Sequence, residues 1–146
     1  MGQQDNEVAA AKVALGVQYT QTFEVQSKKL PELKGRITVA LPTQLDRMRI
    51  GVLQHALREG VPLEQLDMST AGLAVMLSTL AVVVRDAPDW WYEIEKDTAG
   101  KVIKREPNPG AILDEELLWD IYGRYVAFRD TFPGPVGGQG TGGAPA

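Results

Sequence analysis

Apolar positions along the chain change period several times, and each change predicts an element. Residues 19–26 (YTQTFEVQ) alternate, with Tyr19, Phe23 and Val25 in phase, and residues 36–41 (RITVAL) alternate through Ile37, Val39 and Leu41. A period of two is that of a half-buried strand. SKKLPELKG lies between them, punctuated by Pro31 and Gly35, so a β-hairpin with a long loop is expected. After Pro42 the period lengthens. Leu45, Met48, Val52, Leu53, Ala56 and Leu57 recur at helical spacing, and Gln44, Arg47, Gln54, Arg58 and Glu59 fill the other face. Thr43 followed by Asp46 resembles a capping box, and Gly60 is a natural stop, so an amphipathic helix is predicted over 43–59.

Residues 61–67 connect to a second helix that Ser69 or Thr70 can cap. Over 71–84 this helix is apolar on every face, which requires cover on every face, and Asp86 and Pro88 end it. Next, WYEIE and KVIKR flank KDTAG, the pattern of a second, small hairpin. Asp114, Glu115 and Glu116 form an acidic first turn suited to a helix N-terminus. Leu117, Leu118, Ile121, Tyr122, Tyr125, Val126 and Phe128 give that third helix a broad apolar face. The fold class expected is α+β but mainly α: an N-terminal hairpin, then three helices around the central apolar helix, with the small hairpin as an insertion.

The 146 residues suffice for one domain and one core. Residues 1–16, polar and then Ala-rich, are expected to be flexible, and 17–133 to be the folded unit. Residues 134–146 (GPVGGQGTGGAPA) are expected to be a disordered Gly/Pro tail.

Composition narrows function by exclusion. A net charge of −4 argues against a general nucleic-acid binder or a binder of anionic membranes. The absence of cysteine excludes disulfides, thiolate metal sites and a cysteine nucleophile. Residues 1–7 have no basic, then apolar, signal pattern, and 71–84 is shorter than the roughly 18–20 residues that span a bilayer.

Candidate chemistry is sparse. His55 is the single histidine and has no second His or Cys to make a metal site. No phosphate-binding glycine loop lies between a strand and a helix, and the second helix lacks the polar side chains that read DNA. No catalysis, cofactor or metal is therefore expected. The aromatics are more informative. Trp90, Trp91, Trp119, Tyr122 and Phe128 are the candidate protein-binding residues, because large aromatics dominate binding hot spots; each serves equally well as core.

The order of elements resembles the tail assembly chaperones of long-tailed, siphovirus-type bacteriophages. The similar features are the hairpin leading into Leu41-Pro42-Thr43, the apolar helix ending in Arg85-Asp86-Ala87-Pro88-Asp89-Trp90, and the closing segment from Leu117-Leu118-Trp119-Asp120-Ile121-Tyr122 to Phe128 and Phe132-Pro133. They span roughly residues 23–133. The resemblance implies a non-virion helper in the host cell cytoplasm. Such a helper binds the long, apolar tape measure protein, keeps it soluble, helps recruit tail tube protein and often forms homo-oligomers. The alternative carried beside it is a head–tail connector or other minor structural protein of a phage.

Overall fold

In the computed structural model, which describes residues 19–132, β1 (Thr20–Gln26) and β2 (Lys34–Ala40) pair antiparallel in the register Phe23↔Ile37. Alternation sorts their side chains. Phe23, Val25, Ile37 and Val39 face inward, while Thr22 and Thr38 meet on the outer face with their hydroxyls 2.7 Å apart. The loop between the strands folds on Ser27, whose hydroxyl accepts the Leu30 N–H at 2.9 Å. Gly35 has φ +145°, and a Cβ there would stand 2.5 Å from Pro88 Cγ, so this crossing needs a residue without a side chain. Residues 1–16 and 134–146, expected to be flexible, lie outside the described residues, as do the expected ends of the folded unit, Val17 and Pro133.

The first helix, α1 (Gln44–Leu57), is capped by Thr43, and the capping box with Asp46 is complete in both directions. It stops where Glu59 and Gly60 turn left-handed, with the Gly60 N–H bonded to the His55 carbonyl. The second helix, α2 (Met68–Val83), begins earlier than the sequence suggests. Asp67, rather than Ser69 or Thr70, is its cap, accepting the Thr70 N–H at 2.7 Å.

The expected end of α2 also changes, and this corrects the fold class. The helix stops at Val83, and Val84–Asp86 continue directly as a third strand, β3, on the free edge of β2. Two features favour this. Val82, Val83 and Val84 are β-branched and lose little by leaving the helix. The middle strand also has a second row of backbone donors and acceptors that must find partners when buried. The sheet order is β1-β2-β3. A separate hairpin, β4 (Tyr92–Lys96) with β5 (Val102–Pro107), turns through Asp97, whose carboxylate accepts the Ala99 and Lys101 N–H groups, each at 2.9 Å. A last helix, α3 (Glu115–Asp130), closes the described chain.

A mainly α fold with helices gathered around a central one is therefore not what forms. The architecture is mixed: three helices and two antiparallel sheets among the described residues. The core is walled on one side by the sheet (Val25, Ile37, Val39) and on the others by α2 (Met76, Leu80, Val83) and α3 (Leu117, Leu118, Ile121, Tyr125, Phe128). The apolar helix is only partly covered. Its second half is largely buried, whereas Met68 is exposed and Leu73, Val75 and Leu77 are half-buried. Ser78, fully buried, satisfies its hydroxyl by donating to the Ala74 carbonyl at 2.8 Å.

Candidate docking groove

The site begins with the way α1 is rotated. The side chains it turns toward the body are Asp46, Ile50 and Gln54, one ridge at i, i+4, i+8. Asp46 anchors that rotation. Its carboxylate is nearly inaccessible, accepts the Thr43 N–H at 2.9 Å, and meets the Arg85 guanidinium of β3 at 2.6 Å. Burial alone would raise the Asp46 pKa, but the Thr43 and Arg85 hydrogen bonds together outweigh it and hold the group below the ordinary value of 3.8. A cap and a cross-element ion pair thus clamp the start of α1 to the sheet.

With that ridge inward, the apolar stripe of α1 is left over. Leu45, Met48, Val52, Leu53 and Leu57 are all exposed, Met48 and Val52 by 68% and 70%. They are not scattered. Leu45, Met48, Val52 and Leu53 form one wall of a groove of about 740 Å³. Its floor is Ala81, Val82 and Val84, where α2 passes into β3, and its far wall is Tyr92 and Pro107 at the base of the β4–β5 hairpin. A smaller depression of about 150 Å³ shares Leu53, Ala81 and Pro107 with it and continues to Leu57, Leu77 and Gly110. From Leu45 to Leu57 the stripe runs about 18 Å along the helix axis.

The hairpin wall stands on few contacts. Along β4 and β5 no residue is buried. Its base is tied by the Asn108 N–H to the Trp91 carbonyl at 2.8 Å, and Arg105 lies 3.8 Å above the Tyr92 ring centroid while pairing with Asp89 at 3.2 Å. Among the described residues, charge in the groove lining comes from Arg49 and Arg85.

The five aromatics singled out in the sequence do not gather into one surface, and none of them lines this groove. Trp91 is fully buried and Phe128 nearly so; both are core residues, not exposed anchors. The cause at Trp91 is local. Residues Asp89–Trp91 form a 3₁₀ turn behind Pro88 rather than a strand, which drives the Trp91 ring inward. Among the described residues the Trp91 Nε1–H has no acceptor. Trp90 is half-buried and donates its Nε1–H to the Lys34 carbonyl at 3.0 Å, pinning the start of β2. Trp119 and Tyr122 meet edge to face at 5.8 Å on α3. Trp119 reaches over Gly72 of α2 and donates its Nε1–H to Glu115 at 2.9 Å.

The groove residues Leu45, Met48, Val52 and Leu53 were legible as the apolar stripe of an amphipathic helix, a stripe that ordinarily faces the core. A stripe reads identically whether it meets the core or a partner. The available signal was the second ridge, Asp46-Ile50-Gln54, able to face inward through a paired carboxylate.

His55 is exposed on α1, and among the described residues no group of three or more His, Cys, Asp or Glu could hold a metal ion. The other buried carboxylate, Asp114, accepts the Ser27 hydroxyl and the N–H groups of Glu116 and Leu117, capping α3. The Ser27 hydrogen bond is the main reason its pKa is lowered. Among the described residues no helix is long and apolar enough to cross a membrane. No protein-family model matches the chain, and comparisons with curated proteins and with solved structures find no match.

Proposed function

We propose that this protein is a non-enzymatic binding protein whose groove receives an apolar helical stripe of a partner protein. The observation that carries the reading is the open apolar face of α1, set against a pre-formed floor and a second wall. A groove lined by Leu, Met, Val and Tyr suits the helix-in-groove mode, in which a partner lays down residues spaced i, i+3, i+4, i+7. Contiguous exposed apolar surface of this kind marks an interaction site.

Combined with the resemblance in its order of elements, the reading is that of a phage tail assembly chaperone acting in the host cell cytoplasm. Its partner is then the tape measure protein, whose apolar helical stripes aggregate unless covered. The acidic exterior of the chaperone, net −4 over the chain, lends the complex solubility, and tail tube protein is recruited to it.

Co-expression with a tape measure protein of a long-tailed phage is the test. The soluble fraction of that protein should rise several-fold with the full chain and fall back with the double variant Met48→Asp/Val52→Asp, provided circular dichroism shows the variant folded. Unchanged solubility with the unaltered chain overturns the proposal. Recovery of the chain in purified virions would favour a connector role instead.

A further inference from the structure

The groove has a charge signature that its apolar lining does not require. In a chain of net charge −4, the charged residues of the lining among those described are both arginines, Arg49 and Arg85. They share one carboxylate. Asp46 gives one oxygen to Arg85 at 2.6 Å, and its other oxygen stands 3.7 Å from Arg49, beyond hydrogen-bond reach. Among these three groups, two guanidiniums against one nearly inaccessible carboxylate leave a formal excess of one positive charge, while Asp86 and Asp89 act on the Tyr92 wall, where Arg105 opposes them. Arg85 is committed to Asp46, whereas the Arg49 side chain is 64% exposed and, beyond its longer approach to Asp46, its fork of donors makes no hydrogen bond among the described residues.

We infer, on the footing of the groove reading above, that the occupant is a partner's amphipathic helix bearing a carboxylate beside its apolar stripe, and that Arg49 receives that carboxylate. Leu45, Met48, Val52 and Leu53 take the apolar positions, and Arg49 selects the flank. A strand is the poorer occupant. The longest wall is the side-chain stripe of a helix, and Pro107 at the end of β5 has no N–H to offer a new strand. A helix with basic flanks would bring its charge against Arg49 and be disfavoured.

The test uses the full chain and two synthetic helical peptides with the same Leu/Val stripe, one flanked by Glu and one by Lys, titrated by fluorescence anisotropy. The Glu-flanked peptide should bind about tenfold more tightly, with the gap narrowing as salt is raised. Arg49→Glu should reverse the preference and Arg49→Gln should abolish it, both with unchanged circular dichroism. Equal binding of the two peptides, or a preference that survives both Arg49 variants, overturns the charge selection and leaves the groove standing. If neither peptide binds, the groove reading fails and this inference falls with it. A chain that sediments as a dimer, and as a monomer after Val52→Asp, would make a second copy the occupant and would also overturn it.

Discussion

Helices α1 and α3 look alike as patterns and are used in opposite ways. Each is amphipathic, begins at a side-chain cap and carries acid in its first turn. Yet α3 buries Leu117, Leu118, Ile121, Tyr125 and Phe128, whereas Asp46 is the one residue buried on α1. Fully burying a large apolar side chain contributes roughly 1.5–3 kcal/mol, so α3 is held by its stripe. The other helix is held chiefly by Ile50, its cap and the Asp46–Arg85 pair, and its stripe remains open. An amphipathic helix tells that one face needs cover; it does not say whether the cover is the same chain.

The sharpest way to break that contrast is to truncate one residue in each stripe. Ile121→Ala, at a fully buried position on α3, should cost about 3 kcal/mol in urea denaturation. A loss below about 1 kcal/mol would mean that α3 is not a core helix.

Asp46→Asn probes what holds α1 and should cost about 1 kcal/mol at neutral pH, through the weakened capping box and ion pair. Its pH dependence has a definite sign. The Asp46 pKa is lowered on folding, so its contribution is complete above the ordinary value of 3.8 and is lost as pH falls through the lower folded value. The gap between variant and parent should therefore be widest at neutral pH and close in strong acid. A gap that widens in acid would refute this account.

At the far end of α1, Glu59 adopts φ +52°, a left-handed conformation that a residue with a Cβ resists. Glu59→Gly should raise stability by about 0.5–1 kcal/mol, read as a higher thermal midpoint.

The smallest effect on stability is expected at the groove. Val52→Ala, at a position 70% exposed, should change the unfolding free energy by less than about 0.5 kcal/mol, while Met48→Asp/Val52→Asp removes partner binding. If Val52→Ala destabilised the chain as much as Ile121→Ala, the stripe of α1 would be core in solution and the groove closed.

Local chemistry was readable along most of the chain. The first hairpin, the Thr43–Asp46 box, the stop at Gly60 and the acidic start of α3 are short-range features, each specified by residues within a turn or a strand pair of one another. Harder to read were features that rest on distant partners. Val84–Asp86 becomes a strand because β2 has a vacant edge, and that edge is more than forty residues upstream. Trp91 is core because a 3₁₀ turn points it inward, so a cluster expected to mix core and contact residues splits into a buried ring, a pin on Lys34 and an outer pair on α3.

By itself, the sequence determined the first hairpin, both ends of α1 and the start of α3, because caps, turn residues and hydrophobic period act over a few residues. It also determined that the second helix, apolar on every face, needs cover on every face. Only the tertiary structure decided which surface stays open. A buried Asp46 reaching Arg85 across 39 residues turns α1 on its axis, and that rotation, invisible to periodicity, converts a stripe that ordinarily faces the core into the wall of a groove.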